Sequence, residues 1–327
     1  MKMTATWVQR CIALAVIVLF VAMDMTSGGG QSMAASAKSR WGANYFPNVT
    51  LLTQDGEKVA FYDDLIKDKV VAINFIYTQC ADSCPLETAK MRQVYNALGD
   101  RVGKDVFMYS ISIDPKRDTP DVLKAYKKKF RIDARWTFLT GATEDIELIR
   151  KKLGVYIEEI QGENGEIGDH NVTLMIGNEA TGRWMKRSPF ENPKLLATLL
   201  GQSLQAKRQH AIATQVNYAQ AAQLPSVNRG EQLFRTRCTG CHSIGKGEGL
   251  GPDLIGVVSL RDRDWLTRWL MRPDEMLEEK DPLAISLYKK YNNLPMPNLK
   301  LNNLDTVALI DYMQKESKRL SKLSRSE

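Results

Sequence analysis

The residues with the clearest chemical signature are Cys238, Cys241 and His242, which form the motif C-x-x-C-H. This spacing places two thiols to add to the two vinyl groups of one porphyrin, while the next histidine supplies an axial nitrogen to the iron. The alternatives are a redox pair or half of a zinc site, and a zinc site would need two more ligands. Because residues 227–327 contain no other Cys or His, the motif predicts one covalent haem c.

A second axial ligand to this iron is expected in a loop well downstream, and with no histidine left the candidate is a methionine. Met296 lies between Pro295 and Pro297, in a stretch that cannot continue a helix. We therefore predict Met296 as the ligand, with a buried loop side chain as the alternative. The remaining methionines considered are more easily explained as core residues: Met271, Met276 and Met313.

A second cluster, Cys80 and Cys84, follows an apolar run directly and opens a predicted helix. A helix N-terminus carries partial positive charge and unpaired amides, which favours thiolate over thiol. The spacing can place the two sulfurs close enough for a disulfide or for one metal ion. The alternatives are two buried structural cysteines or an inert disulfide.

His170 follows Asp169 and is the only histidine between residues 38 and 205. A lone histidine is more often a structural residue than a ligand, but a strand-start loop beside the thiol loop is where a third ligand could converge. Two thiolates and one imidazole suit copper better than zinc, which would lack a fourth protein ligand. We therefore expect Cys80, Cys84 and His170 to bind one copper ion.

The elements that position these residues fall into two groups. Between residues 48 and 205, short β-rich runs alternate with helical stretches, which predicts an α/β layered domain. The predicted strands are 70–77, 106–113, 136–139 and 171–176, with a hairpin strand at 183–185, and the predicted helices are 86–98, 119–130, 144–153 and 193–204.

The last hundred residues show helical patterns and no strand-type segment. The predicted helices are 229–237, 264–271, 284–291 and 304–320. We therefore expect a small all-α domain at 227–327, joined by a linker at 206–226 to an α/β domain at 38–205.

Length and composition support this division. A chain of 327 residues is about right for two domains, and 43% apolar with 25% charged residues is ordinary for a globular protein. The net charge of +7 is spread along the chain. Nucleic-acid binding needs a clustered basic face, so we do not expect a nucleic-acid partner.

The first 37 residues have the layout of an export signal, because Lys2 and Arg10 precede an apolar run at 11–23. Thirteen residues rise only about 20 Å as a helix, less than the roughly 30 Å hydrocarbon core. A cleaved signal peptide and an uncleaved membrane anchor both remain open. Either predicts a protein that is periplasmic or anchored facing the periplasm.

The C-terminal region resembles a class I cytochrome c over about 100 residues. The resemblance rests on residues 230–242, on 249–254, on Met296 with the two residues after it, and on Tyr312 in the final helix. It implies a one-electron carrier whose first and last helices pack crosswise, with Gly230, Phe234 and Tyr312 suitably placed for that crossing.

The preceding domain resembles the Sco/SenC family in residues 70–85, in residues 112–120 and in the pair Asp169 and His170. Members are thioredoxin-fold proteins that handle copper for cytochrome c oxidase assembly. The resemblance implies copper ligands at Cys80, Cys84 and His170. Ala81 departs from the family pattern, where members often have Pro.

The combination predicts an exported copper-binding redox protein for cytochrome c oxidase maturation, whose haem exchanges electrons with the dithiol or its copper. Its expected partners are a cytochrome c oxidase subunit or another copper-accepting protein, and redox partner proteins. A chaperone and electron carrier is favoured over an enzyme. The alternatives are a haem-linked thiol-disulfide oxidoreductase without copper and an electron carrier with an inactive docking half. The linker permits contact between the domains without enforcing it, and neither domain is strongly acidic, so we expect the contact to be transient.

Overall fold

The computed structural model describes residues 41–80, 83–157, 172–205 and 227–323. The predicted leader at 1–37, the linker at 206–226 and the pair Asp169 and His170 lie outside these residues. Within the described ranges, no helix is both long enough and apolar enough to cross a membrane.

A seven-stranded mixed sheet forms the centre of the first domain. Its strands are β1 Thr50–Thr53, β2 Lys58–Ala60, β3 Val70–Ile76, β4 Phe107–Ser112, β5 Trp136–Gly141, β6 Leu174–Asn178 and β7 Arg183–Arg187. They lie in the order β2-β1-β5-β4-β3-β6-β7. Strands β3, β4 and β5 are parallel, and the other neighbouring pairs are antiparallel.

Helices cover both faces of this sheet. They are α1 Ser83–Leu98, α2 Pro120–Lys129, α3 Thr143–Leu153 and α4 Pro193–Thr198, with short π-helical segments at Phe61–Ile66 and Leu199–Ser203 and a 3₁₀ turn at Gly99–Arg101. One buried cluster packs α1, α2 and α4 against the sheet, and a second packs α3 and the first π-helical segment against the other face. The predicted α/β thioredoxin-like class is confirmed.

Strand β3 shows why the sequence builds a layered domain. All seven of its residues are buried, as expected for a central strand covered on both faces. Its neighbour β4 pairs in parallel with Ile76 opposite Ser112. The carboxyl ends of these two strands therefore meet at one edge, where the thiol loop leaves β3.

The second domain is helical. Its helices are α5 Arg229–Leu233, continued by a π-helical segment at Phe234–Cys238, then α6 Val257–Leu260, α7 Arg263–Met271, α8 Pro273–Glu278, α9 Pro282–Lys290 and α10 Asn303–Leu323. Between residues 227 and 323 the β pairing consists of one isolated bridge, from Ser243 to Asp253. The predicted all-α class is confirmed.

Helices α5 and α10 cross at very short range. A Cβ atom at Gly230 would lie 2.0 Å from the carbonyl oxygen of Ala308, so only glycine fits at the crossing. The rings of Phe234 and Tyr312 pack beside it with centroids 5.5 Å apart. The three residues named from the sequence thus form the expected contact of the first and last helices.

Candidate functional site

The first candidate centre is the pair Cys80 and Cys84, where the chain passes from β3 to α1. Cys80 is 7% exposed and Cys84 is fully buried. The backbone amide of Cys84 lies 3.3 Å from the Sγ atom of Cys80, to which it donates a hydrogen bond. The two cysteines are therefore brought together, and the start of the helix faces one of the two sulfurs.

The electrostatics of this pair differ from the sequence-based expectation. Burial raises the pKa of Cys84 well above its usual value, and the neighbouring Cys80 and Glu87 raise it further. Desolvation of the charged form outweighs the effect of the helix N-terminus. The Cys84 thiol is therefore protonated at neutral pH, and a metal ion that binds there must displace its proton.

Asp118 fixes the loop that leads to the cysteines. Its carboxylate accepts hydrogen bonds from the Thr78 amide at 3.1 Å and from the Thr78 hydroxyl at 2.5 Å. The Ser112 hydroxyl donates to the same carboxylate at 2.6 Å. Burial raises the pKa of Asp118, and the bonds from Ser112 and Thr78 partly oppose the shift. One side chain thus joins the ends of β3 and β4 just before Cys80.

A chain of buried polar groups runs from the sheet to α1. The Trp136 indole donates to the Ser110 hydroxyl at 3.0 Å, which donates to the Asn74 side-chain oxygen at 2.7 Å. The Asn74 amide then donates to Glu87 at 2.8 Å. Burial raises the pKa of Glu87 to about 8, and within the described part of the chain its Oε2 atom has no hydrogen-bond partner.

The second candidate centre is built around His242. Its Nδ1 atom lies 2.9 Å from the carbonyl oxygen of Pro252, which suits donation by Nδ1 and leaves Nε2 as the metal-binding nitrogen. A Cβ atom at Gly251 would lie 2.6 Å from Cε1 of the ring. A glycine is therefore needed there, because the imidazole lies directly on the backbone.

His242 and Met296 line one cleft, together with Cys238 and Cys241. The cleft is partly open to solvent. Its remaining lining is mainly apolar and includes Leu250, Leu254, Val257, Trp265, Leu266, Trp269, Leu309 and Met313. Two thiols, an imidazole and a thioether around an apolar cleft are the donor set that haem c requires, so the residues fit this group.

The loop that carries Met296 is held from two sides. The guanidinium of Arg237 donates to the Leu299 carbonyl at 3.0 Å. The amide of Asn298 donates to Asp274 at 3.0 Å. The methionine is thus fixed by the segment before Cys238 and by helix α8, which the sequence did not predict because it has only six residues.

Asp253 organises the loop beside His242. Its carboxylate accepts hydrogen bonds from the amides of Gly245, Gly247 and Ile255 at 2.8, 2.6 and 2.9 Å, and from the Ser243 hydroxyl at 2.9 Å. Burial acts to raise the pKa of Asp253, but these bonds outweigh it and the pKa is lowered. The ionised carboxylate therefore stabilises the loop.

The two centres are joined by direct contact between the domains. The Lys90 ammonium, on α1, donates to the Arg235 carbonyl at 3.0 Å and to the Thr239 hydroxyl at 3.3 Å. The Gln93 amide donates to the Thr239 carbonyl at 2.7 Å. Cys241 also packs against the buried cluster that contains both cysteines of the first centre. The expectation that this contact is transient stays a prediction.

The described ranges do not contain a complete three-ligand metal site. These residues contain no group of three or more His, Cys, Asp or Glu side chains placed to hold a metal ion. The third predicted copper ligand, His170, lies outside them. Its convergence with Cys80 and Cys84 stays a prediction.

Three residues that shape the site were not assigned a role from the sequence. Asp118 and Asp253 both stand in segments used for the resemblances, and an Asp near Pro and Gly is a known loop-organising signal. Lys90 carries no such signal, because a lysine in a helix ordinarily lies on a solvated face.

Two family models match this chain. Residues 37–199 match the model described as SCO1/SenC. Residues 227–317 match the model described as Cytochrome c.

Similar proteins include an SCO2-like protein of Rickettsia felis, 34% identical over 140 residues, and the mitochondrial SCO1 homolog 1 of Arabidopsis thaliana, 28% identical over 128 residues. These alignments span 42% and 39% of this chain. The chain covers 65% of the length of the first relative and 37% of the second.

Solved structures give matches to each domain. Copper-bound ScoI of Bradyrhizobium japonicum is 28% identical, with a TM-score of 0.41, and the match covers 46% of this chain and 94% of that one. The cytochrome c domain of a Pseudomonas putida protein is 53% identical, with a TM-score of 0.27, and the match covers 28% of this chain and 91% of that domain.

Proposed function

Because its residues 37–199 belong to the SCO1/SenC family and its residues 227–317 to the cytochrome c family, we propose that this chain is an exported copper-binding redox protein. It delivers copper or reducing equivalents for cytochrome c oxidase maturation. Its acceptor is an oxidase subunit or another copper-accepting protein, and a separate redox protein exchanges electrons with it.

The observation that carries this proposal is the convergence of Cys80 and Cys84 in the buried cluster against which Cys241 packs. The two sulfurs are soft ligands, which prefer Cu(I). Both side chains are buried and belong to one hydrophobic cluster. The cytochrome domain contacts the same helix, so the two chemistries share one structural element.

Copper is the cargo of the proposed reaction, and Cys80, Cys84 and His170 are its proposed ligands. Since burial raises the pKa of Cys84, copper entry releases a proton from this thiol. Rising acidity therefore opposes loading. Asp118 holds Thr78, two residues before Cys80, and so fixes the point at which the thiol loop leaves the sheet.

The proposed haem ligands are the four side chains of the cleft. Cys238 and Cys241 would hold the porphyrin through thioethers, and His242 and Met296 would bind the iron. When bound there, haem supplies one electron at a time for exchange with the dithiol or its copper. Pro252 orients the imidazole for this role, and Gly251 gives it room.

The proposed location is the periplasm, either free or anchored by residues 1–37. Expression with a C-terminal tag and mass spectrometry of the exported chain test this. The mass gives any cleavage site and should show one added haem. Chain that stays in the cytoplasm would contradict the location.

The copper site is tested by titrating Cu(I) into the haem-loaded chain. Wild type is expected to bind one copper ion, and the double variant Cys80→Ser with Cys84→Ser none. His170→Ala should weaken binding, whereas the matched control His210→Ala, in the linker, should not. Wild-type affinity in His170→Ala would assign a structural role to this histidine and favour the thiol-disulfide oxidoreductase.

The iron ligand is tested by Met296→Ala. The low-spin haem spectrum of wild type should change in this variant and stay the same in Met271→Ala. An unchanged spectrum in Met296→Ala would contradict the assignment.

Electron exchange is tested by adding Cu(II) to chain with reduced haem. Each Cu(II) takes one electron and becomes Cu(I), while one ferrous haem becomes ferric. Haem oxidation should proceed at a rate independent of protein concentration and disappear in the double cysteine variant. A rate that scales with concentration would contradict exchange within one chain.

A further inference from the structure

The contact between the two domains is formed by a small part of each. On α1 it is the face made by Ala89, Lys90 and Gln93, here called the α1 face. On the cytochrome domain it is residues 235–241, here called the attachment loop. The α1 helix begins one residue before Cys84, and five residues of helix rise only about 7.5 Å. The α1 face is therefore close to the dithiol along one rigid element.

Lys90 shows that this contact is more than incidental packing. Lys90 is only 2% exposed. Burying an ammonium group is costly unless hydrogen bonds compensate for the lost water. The bonds that compensate come from Arg235 and Thr239 in the other domain. In the docked arrangement the Lys90 ammonium therefore exchanges water for these two acceptors of the other domain.

Gly240 supports the same conclusion from the opposite side. Its backbone φ lies outside the left-handed region, so its own conformation does not require glycine. A Cβ atom there would lie 3.1 Å from Cβ of Ala89, tighter than ordinary contact. A side chain at position 240 would therefore press on the neighbouring domain.

The α1 helix also brings positive charge to the haem-binding cysteines. The Lys90 ammonium donates to the hydroxyl of Thr239, which lies between Cys238 and Cys241 in the chain, so its positive charge lies beside the attachment residues. In a buried site such interactions are weakly screened. A cation beside a haem stabilises its reduced form, which carries one positive charge fewer, and raises the reduction potential.

We propose that the α1 face is a built docking surface for the attachment loop, and that Lys90 is a positioning residue which fixes the loop and raises the haem potential. The thioredoxin-like domain thereby contributes to the haem environment of the cytochrome domain. The inference rests on the proposed function only in taking residues 238–242 as the site of haem attachment.

Docking is tested by the reactivity of Lys90 in the full chain, with and without haem. An amine-reactive reagent followed by mass spectrometry should label Lys90 far more slowly than the exposed Lys104. Gly240→Leu places a side chain against Ala89 and should remove this protection. Thr236→Leu, an exposed position in the same segment, should keep it. Equal labelling of Lys90 and Lys104 in wild type would overturn the docking surface.

The effect on the haem is tested by potentiometry of haem-loaded chain. Lys90→Met should lower the reduction potential, while Lys104→Met, which removes the same charge from an exposed site, should leave it unchanged. Gly240→Leu should lower it as well, from the other domain. An unchanged potential in both Lys90→Met and Gly240→Leu would overturn the positioning role.

These arms separate the inference from the proposed function. Protection of Lys90 in a chain that attaches no haem supports docking and contradicts the proposed haem site. Haem attachment with full reactivity of Lys90 contradicts docking and leaves the proposed haem site intact.

Discussion

Asp118 and Asp253 hold the two functional loops in opposite electrostatic settings. Each carboxylate collects hydrogen bonds from the loop that it organises, Asp118 beside the dithiol and Asp253 beside the imidazole. Burial dominates at Asp118 and raises its pKa. At Asp253, backbone amides outweigh burial and lower the pKa.

The difference teaches that the two loops respond to pH in opposite directions. A pKa lowered by folding stabilises the native state above the unfolded value of about 3.8, and this contribution is lost as the pH falls. A pKa raised by folding gives a contribution that is complete below the unfolded value and is lost as the pH rises. Acid therefore weakens the haem-side loop, and rising pH weakens the thiol side.

The largest expected effect concerns the thiol side, where burial raises the pKa of a carboxyl group. Glu87 has a native pKa of about 8 against about 4.5 when unfolded, so wild type loses about 1.4 kcal/mol of stability per pH unit across that window. Glu87→Gln keeps the oxygen that Asn74 contacts and removes this loss. Urea unfolding at pH 5 and pH 8 should show the variant gaining several kcal/mol on wild type. Parallel pH profiles would contradict it.

The second effect concerns the loop that leads to the thiols. Asp118→Ala removes the acceptor of Thr78 and Ser112 and should destabilise the first domain by about 2–4 kcal/mol. Because the thiol loop loses its anchor, copper affinity should fall by roughly 10–100-fold. Asp121→Ala, an exposed position on α2, is the matched control. Wild-type copper affinity with reduced stability would show that Asp118 does not position the cysteines.

The third effect concerns the loop beside His242. Asp253→Ala leaves three loop amides without their acceptor and should cost about 1–3 kcal/mol at pH 7. The difference from wild type should shrink as the pH falls through the native pKa, because the wild-type carboxylate is then protonated. Thermal unfolding between pH 2 and pH 7 measures it, with the exposed Asp311→Ala as control. A difference that grows in acid would reverse the assignment.

The smallest effect concerns the contact that joins the two regions. Gly240→Ala should cost about 1 kcal/mol, because its Cβ meets Ala89. Ala89→Gly costs a similar amount by weakening α1. Combined, they should cost less than their sum, since removing the Ala89 methyl makes room for the new one. If the two costs were strictly additive in urea unfolding, the contact between positions 240 and 89 would be contradicted.

The sequence predicts most of the first domain because its central strands are long apolar runs. Strands β3 to β6 and helices α1 to α3 lie close to their expected places. The hairpin of β1 and β2 was missed, since strands of four and three residues show no period. The short helices α6 and α8 were missed for the same reason.

The candidate sites combine features that a local motif reveals with features that depend on tertiary packing. Cys238, Cys241 and His242 form a local motif, and the prolines beside Met296 identify its loop, so a sequence can reveal them. The burial that raises the pKa of Cys84 depends on tertiary packing, which a helix-terminus argument does not include. The role of Lys90 depends on the other domain and has no local pattern.

Gly240 has a consequence for exchanging modules between proteins. Haem attachment needs the two cysteines and the histidine of C-x-x-C-H and is indifferent to the residue at this position. A cytochrome module transplanted onto this thioredoxin-like domain would therefore keep the complete attachment motif with Leu or Lys there, yet that side chain would press on Ala89. Among haem modules of equal quality, the size of the residue at this position inside the motif therefore influences which can be fused to this partner as a working pair.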